Sequence, residues 1–512
     1  MKTDELMDAI TELDDDLLNE AAGTPSPEEI RAAKRADKRP LIFRMAAAAA
    51  VVVLALILVP VFRGQSGPAN ASKDTVKEVI SADLSVKAEK VAGPVYPEEW
   101  TREQELNSDK GYLERPNGIR VAAGRETADL YRGYFADMML LLLSDQEEES
   151  AVMSPVNIWM ATAMLAEITD GKTRQEILDA FGVKNIEALR DQAAKIWGLC
   201  YKDDGREKTV LGNSLWLNNT SAYKGRAVQT LADSYYASVF RGQMGTEEYG
   251  SLLRKWIDDL TGGLLADQTK GLELPEGTAL ALVSTVWHET KWDEEFDPKQ
   301  TKPGTFHAPK GDIEAEFMHS DWAAGMYFRA DDYTFIRKST RQGNVWLFLP
   351  DEGTSLKEMM QEESFRQFLS CRFDEHDYCT PNSDGIYLEG KTTRGITGAF
   401  ARVDLTLPKM DISCQQDLTD ALKKMGITSA FTAGEADYTP ISDEAGVYLQ
   451  EAKQGTRLIV DEEGVSAASY VEMLAGSAMF EDRIDLVFDR PFFIMVTGAN
   501  DVPLFAAVVN EP

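Results

Sequence analysis

The sequence is poor in residues that several large enzyme classes depend on. Histidine occurs only four times in 512 residues, at His288, His307, His319 and His376, leaving few candidates for a general base. There is no Gly-x-Ser-x-Gly nucleophile turn, no glycine-rich phosphate loop and no His-Glu-x-x-His zinc helix. His288-Glu289-Thr290-Lys291-Trp292 opens like the last but lacks its second histidine. Cysteine is as scarce. Cys200, Cys371, Cys379 and Cys414 are too few to form a disulfide framework for a chain this long. Cys371 and Cys379 bracket His376, which leaves a local disulfide, a metal site or plain thiols open, although the spacing fits no zinc pattern. Positive charge is also short. Lysine and arginine number 53 against 85 aspartates and glutamates, a formal charge of -32. Such a surface repels a nucleic-acid backbone and anionic lipid headgroups, so no nucleic-acid partner is expected. No cofactor is implied either.

What is present begins with a core. With 44% hydrophobic residues the chain can bury one large domain. Near the N-terminus Met45 to Phe62 is an eighteen-residue run without charge: five alanines, then Val51-Val52-Val53-Leu54-Ala55-Leu56-Ile57-Leu58-Val59. As a helix rising about 1.5 Å per residue it just spans a bilayer core, and Leu41-Ile42-Phe43 extends it. It lies too far from Met1 for a typical cleaved signal peptide. Arg31, Lys34, Arg35, Lys38, Arg39 and Arg44 crowd its N-terminal side, whereas Arg63 stands alone on the other. The positive-inside bias therefore predicts a signal-anchor: residues 1–40 as an acidic and basic cytoplasmic tail, 41–63 as a single transmembrane helix, and the large domain outside. Residues 64–118 are polar and without sustained period, and read as an extracytoplasmic linker. The domain itself is expected over 119–512.

Asp461-Glu462-Glu463-Gly464-Val465-Ser466-Ala467-Ala468-Ser469 suits a segment that is first a loop and later a strand. Gly464 supplies backbone freedom. After it, Val465, Ala467, Ser469, Val471, Met473 and Ala475 form an alternating small or apolar set opposite Ser466, Ala468, Tyr470, Glu472 and Leu474. From this pattern alone an ordinary edge strand followed by a surface loop remains an alternative.

The Glu462-Glu463-Gly464-x-x-Ala467-Ala468 stretch resembles the reactive-loop hinge of the serpin family. Ile484 to Ile494 and Pro503 to Pro512 resemble the family's C-terminal strands. Collinear matches lie upstream at Ser154-Pro155-Val156-Asn157-Ile158, Asn213-Ser214-Leu215-Trp216, Leu282-Val283-Ser284, Lys291-Trp292, Phe296-Asp297-Pro298 and Leu407-Pro408-Lys409. The resemblance implies an α+β fold of three β-sheets surrounded by about nine helices, with an exposed reactive-centre loop. It implies no enzyme but a suicide inhibitor of extracellular serine proteases, with papain-like cysteine proteases a further target class. In that mechanism the cleaved loop inserts into the main sheet and traps the acyl-enzyme. The alternative is a non-inhibitory binding or structural member whose loop is merely cleaved. By family spacing the scissile bond falls between Ala478 and Met479, with Met479-Phe480 the other register. An alanine there favours an elastase-like protease; Met479 or Phe480 would favour a chymotrypsin-like one. The buried shutter and breach positions map to Ser154, Ser284, Gln454 and Trp292. Ser284 and Gln454 stand where the family has asparagine and histidine, and Val465 where it has threonine or serine.

Overall fold

The computed structural model describes residues 48–59, 78–94, 131–203, 207–371, and from 373 to 512 all but 375–376, 382–387 and 465–482. Among these, two large sheets carry the architecture. The first has eight strands. Seven of them are β1 (Ala48–Val59), β2 (Ala88–Ala92), β3 (Lys208–Asn218), β4 (Ala237–Gly242), β5 (Leu280–Thr290), β6 (Met410–Asp417) and β7 (Tyr448–Val460). Across the sheet they run β6-β7-β1-β5-β3-β4-β2, and the short strand Lys202–Asp203 pairs with β3. Every lateral pairing is antiparallel except β3 with β4. β5 and β7 therefore point the same way, and β1 runs opposite to both.

Burial explains the strand types. Nearly every residue of β3 and β5 is buried, as expected of central strands covered on both faces. β7 alternates buried and partly exposed positions along most of its length. One face of the sheet is covered by α1 (Pro155–Glu167), all thirteen residues of which are buried. Ser154 caps its N-terminus, its hydroxyl accepting from the Asn157 N–H at 3.4 Å. An amphipathic helix, α2 (Glu247–Thr261), packs Tyr249, Leu253 and Ile257 with Trp216, Phe240, Ala281 and Val283 of the sheet. Gly262 at φ +60° closes α2, in the left-handed region that glycine tolerates best.

The second large sheet has ten strands, with Phe492–Thr497 and Pro503–Val509 buried throughout. Three separate sheets were expected. Instead the nineteen-residue strand Gly311–Arg329 pairs with Ile396–Pro408 through register shifts at Ser320/Ala324 and Ala324/Met326. These irregularities bend the pair and carry one hydrogen-bonded ladder across what would otherwise be two sheets. Two further sheets have two strands each, and ten helices are seen among the described residues.

The N-terminal region departs further from expectation. The run read as a transmembrane helix over 41–63 is a strand over Ala48–Val59, and among the described residues no helix is long and apolar enough to cross a membrane. A continuous apolar run carries no period, so strand and helix are equally legible in it. Its valines, isoleucine and leucines suit a central strand as well as a lipid-facing helix. The stretch read as linker also contributes to the fold: Val79–Ile80 pairs with Tyr223–Lys224, and β2 forms the edge of the first sheet. Strands this short lie below the length at which alternation stands out. No disulfide joins any two of the four cysteines, and no metal-binding cluster occurs among the described residues, His376 lying outside them.

Candidate functional site: the hinge and the opening of the first sheet

β7 ends at Val460, and Asp461 to Gly464 form a turn locked to the sheet. The Asp461 carboxylate accepts from the backbone N–H groups of Glu463 and Gly464 at 3.1 and 3.3 Å. Its carbonyl accepts from the indole Nε1 of buried Trp292 at 2.9 Å, and the Glu462 carbonyl accepts from the Phe296 N–H at 3.1 Å. Gly464 sits at φ +40°, where an added Cβ would come within 2.5 Å of the Trp292 ring and backbone nitrogen. No larger residue fits there without displacing Trp292. This is why the turn needs glycine.

Charge is arranged with equal care. Glu462 accepts from Thr301 Oγ1 at 2.7 Å and pairs with Lys409 at 2.9 Å. Burial pushes its pKa up, but those two donors outweigh it and hold the carboxyl below its usual range. Lys409 is correspondingly raised: burial works against its charge, and Glu462 more than restores it. Beneath Trp292, the buried Lys338 ammonium lies 5.5 Å from the Trp292 ring centroid and 4.9 Å from that of Phe296, a cation–π pocket. Burial lowers Lys338 to about 8. Lys291 is fully buried with the Glu295 carboxylate 3.7 Å away, and burial lowers its pKa as well.

Asp461 behaves in the opposite sense to Glu462. Burial raises it to about 6, against the pull of its two N–H donors. The unfolded chain, with its lower pKa, releases that proton first. Asp461 therefore costs stability as pH rises from about 4 to 6, and the full cost stands above that window. Asp461→Asn keeps an oxygen acceptor for both N–H groups and removes the charge. It is expected to stabilise the protein by roughly 3 kcal/mol at pH 7 and by nothing near pH 3.5. Paired chemical denaturation at the two pH values checks this. The comparison with wild type matters because His288, which burial lowers to about 3, imposes an opposite slope: its contribution is lost as pH falls below 6.5.

A second polar cluster lies lower in the sheet. Gln454 of β7 and Ser154 exchange two bonds, Ser154 N–H to Gln454 Oε1 and Gln454 Nε2 to the Ser154 carbonyl, both at 3.2 Å. Asn157 Nδ2 donates to the Ser284 carbonyl of β5 at 3.3 Å. Ser284 Oγ donates to Asn213 Oδ1 at 2.7 Å, and Asn213 Nδ2 to the Tyr235 carbonyl at 2.7 Å. These residues are all buried. The cluster ties the start of α1 to both strands that flank β1. Ser284 and Gln454 thus keep a bonded polar network without the asparagine and histidine expected there.

Sequence reasoning therefore assigned Ser154, Ser284, Gln454, Trp292 and the Glu462–Gly464 turn to places where the structure brings them into two bonded groups. The side chain of Glu463 is exposed, and its charge favours the ammonium form of Lys291 against the effect of burial. Val465, Ser466, Ala467, Ala468, Ala478 and Met479 lie outside the described residues. Sequence reasoning missed Asn157, Asn213, Lys409, Thr301 and Lys338. The first three were already inside matched motifs, and their polarity, in the apolar helix α1 for Asn157, within apolar β3 for Asn213 and at a strand end for Lys409, was the available signal.

Residues 133–512 match the family model described as serpin (serine protease inhibitor). The chain belongs to the serpin family. Among curated serpin relatives, an alpha-1-antitrypsin-like protein of Tamias sibiricus is 25% identical over 421 residues, covering 80% of this chain and 93% of the relative. Serpin-ZX of Arabidopsis thaliana is 27% identical over 391 residues, 72% and 93% respectively. Among solved structures, the native thermophilic serpin tengpin superposes with a TM-score of 0.60 at 19% identity, covering 83% of this chain and all of that one. AtSerpin1 of Arabidopsis in its native stressed conformation gives 0.61 at 22% identity, over 76% and 98%. Members of this family are mostly protease inhibitors rather than enzymes.

Proposed function

We propose that this serpin is a suicide inhibitor of extracellular serine proteases, held at the membrane by residues 41–63 with its serpin domain outside. The protease attacks the loop between Ala478 and Met479 and is acylated by Ala478. The twelve residues after Gly464, Val465 to Gly476, then enter the first sheet between β5 and β7, drawing the acyl-enzyme away from the loop's original position. About ten new ladder hydrogen bonds, at roughly 0.5–1.5 kcal/mol net each, supply on the order of 5–15 kcal/mol. The uncleaved fold is then held by rate rather than by equilibrium.

The observation that carries this reading is the pairing of β1. The sheet holds a twelve-residue strand between β5 and β7, antiparallel to both. A chain turning back at Gly464 would enter that position with the same direction and the same length. The hinge also supplies a defined point of release, because the Asp461 turn and the Lys409–Glu462 pair hold its first residues over Trp292.

An elastase-like protease added to intact cells that carry the full chain tests cleavage and orientation together. The expected product is a C-terminal fragment beginning at Met479, read by mass spectrometry. A fragment beginning at Phe480 would move the bond by one residue and point to a chymotrypsin-like target. Cleavage only after the membrane is broken would contradict the orientation.

The non-inhibitory reading has its own support in β1, since a filled sheet has no place for a loop. One structural neighbour, thyroxine-binding globulin, has been solved in complex with thyroxine.

A further inference from the structure

β1 lies where the inhibitory mechanism needs space. Its register places Leu54 opposite both Ser284 of β5 and Gln454 of β7, the polar pair that ties these strands to α1. Its first residues, Ala48 and Ala49, pair with Thr290 and Ile459, beside the Trp292 and Asp461 turn. The strand therefore fills the central position from the hinge end to Tyr448 at the other.

The same twelve residues form most of the uncharged Met45–Phe62 run. As a membrane helix that run is about 27 Å long, whereas twelve strand residues reach about 40 Å. One segment cannot adopt both forms at once. Both alternate sets of β1, Ala48-Ala50-Val52-Leu54-Leu56-Leu58 and Ala49-Val51-Val53-Ala55-Ile57-Val59, are apolar, so the segment suits a doubly covered strand and a lipid core alike. A short tether keeps both places within reach. Val79–Ile80 is paired to Tyr223–Lys224, and only residues 60–77 separate β1 from the described segment that carries this strand. Eighteen residues extend at most about 65 Å. Such a tether makes return to the sheet an intramolecular event with a high effective concentration.

We propose that Ala48–Val59 is an intramolecular plug that exchanges between the first sheet and the bilayer, and that membrane insertion switches the inhibitor on. Out of a membrane the segment occupies the position between β5 and β7, and loop insertion is blocked. Drawn into lipid, it vacates that position, and β5 and β7 become available to Val465–Gly476. The plug rests on the loop-insertion reading only for its consequence; its location is testable without any protease.

The test uses the full chain carrying a photoreactive diazirine analogue of leucine at position 54, with a second protein probed at position 50. Each is irradiated lipid-free and in phosphatidylcholine vesicles, and crosslinks are mapped by mass spectrometry. Lipid-free protein is expected to crosslink to 280–290 and 448–460, and vesicle-bound protein to acyl chains. A full exchange moves the sheet-to-lipid ratio from about 99:1 to about 1:99. Crosslinks to the sheet under both conditions would make β1 a permanent strand and overturn the switch. Their absence from the sheet in the lipid-free protein at both positions would overturn the plug. In parallel, the unlabelled full chain should form SDS-resistant complexes with elastase in vesicles and at least tenfold fewer without lipid. An absence of complexes under both conditions, with the crosslinks exchanging as expected, would leave the plug in place and refute protease inhibition instead.

Discussion

Ala467→Arg is expected to convert the full chain in phospholipid vesicles from an inhibitor to a substrate. The alternation after Gly464 puts Val465 and Ala467 in the set that must enter the sheet. Burying an unpaired guanidinium there costs several kcal/mol. That is a large part of the 5–15 kcal/mol that about ten ladder bonds provide. Insertion also competes with hydrolysis of the acyl-enzyme, so a slower insertion is enough to release the protease. In the proposed mechanism this position enters the sheet only after cleavage, so the variant should fold and unfold as wild type does. Cleavage by an elastase-like protease should persist while SDS-resistant complexes fall at least tenfold. Full inhibitory stoichiometry in the variant would count against insertion of this segment.

The second large effect is thermal. Cleavage of the loop in the vesicle-bound chain should raise the unfolding midpoint by on the order of 10 °C, as the sheet gains a central strand. The lipid-free chain should show no such rise, because β1 already fills the position between β5 and β7. Calorimetry of cut and uncut protein, with and without vesicles, gives four midpoints of which one should stand apart. A rise in the lipid-free protein would mean that the loop displaces β1 unaided. No rise in either case would favour the non-inhibitory reading, with the Ser284 and Gln454 substitutions the first places to look.

Much of this was legible because serpin motifs sit at points where the backbone has no freedom. Gly464 is such a point: the left-handed φ and the Trp292 contact both require the missing side chain. Ser154 is another, since it both caps α1 and exchanges bonds with Gln454. The partners of these residues were harder to see. Lys409 and Glu462 lie far apart in sequence, and only the pairing of β6 with β7 brings their neighbourhoods together. Asn213 reaches Ser284 across β3 and β5 in the same way. Pairings of this kind are tertiary facts without a local signature. The N-terminal segment is ambiguous for a different reason. Met45–Phe62 has neither a period of two nor one of 3.6, so its environment and not its pattern selects strand or helix. The edge strand Ala88–Ala92 has only five residues, with Glu89 and Lys90 among them, and is indistinguishable from linker.

Trapping of a protease, as opposed to mere cleavage by one, is read directly on a denaturing gel. The full chain in phospholipid vesicles is mixed with an elastase-like serine protease and run on a denaturing gel. An SDS-resistant band is expected at the summed mass of the protease and the serpin without its C-terminal fragment, which begins at Met479. A cleaved serpin with the protease left free and active, and no such band, would contradict trapping.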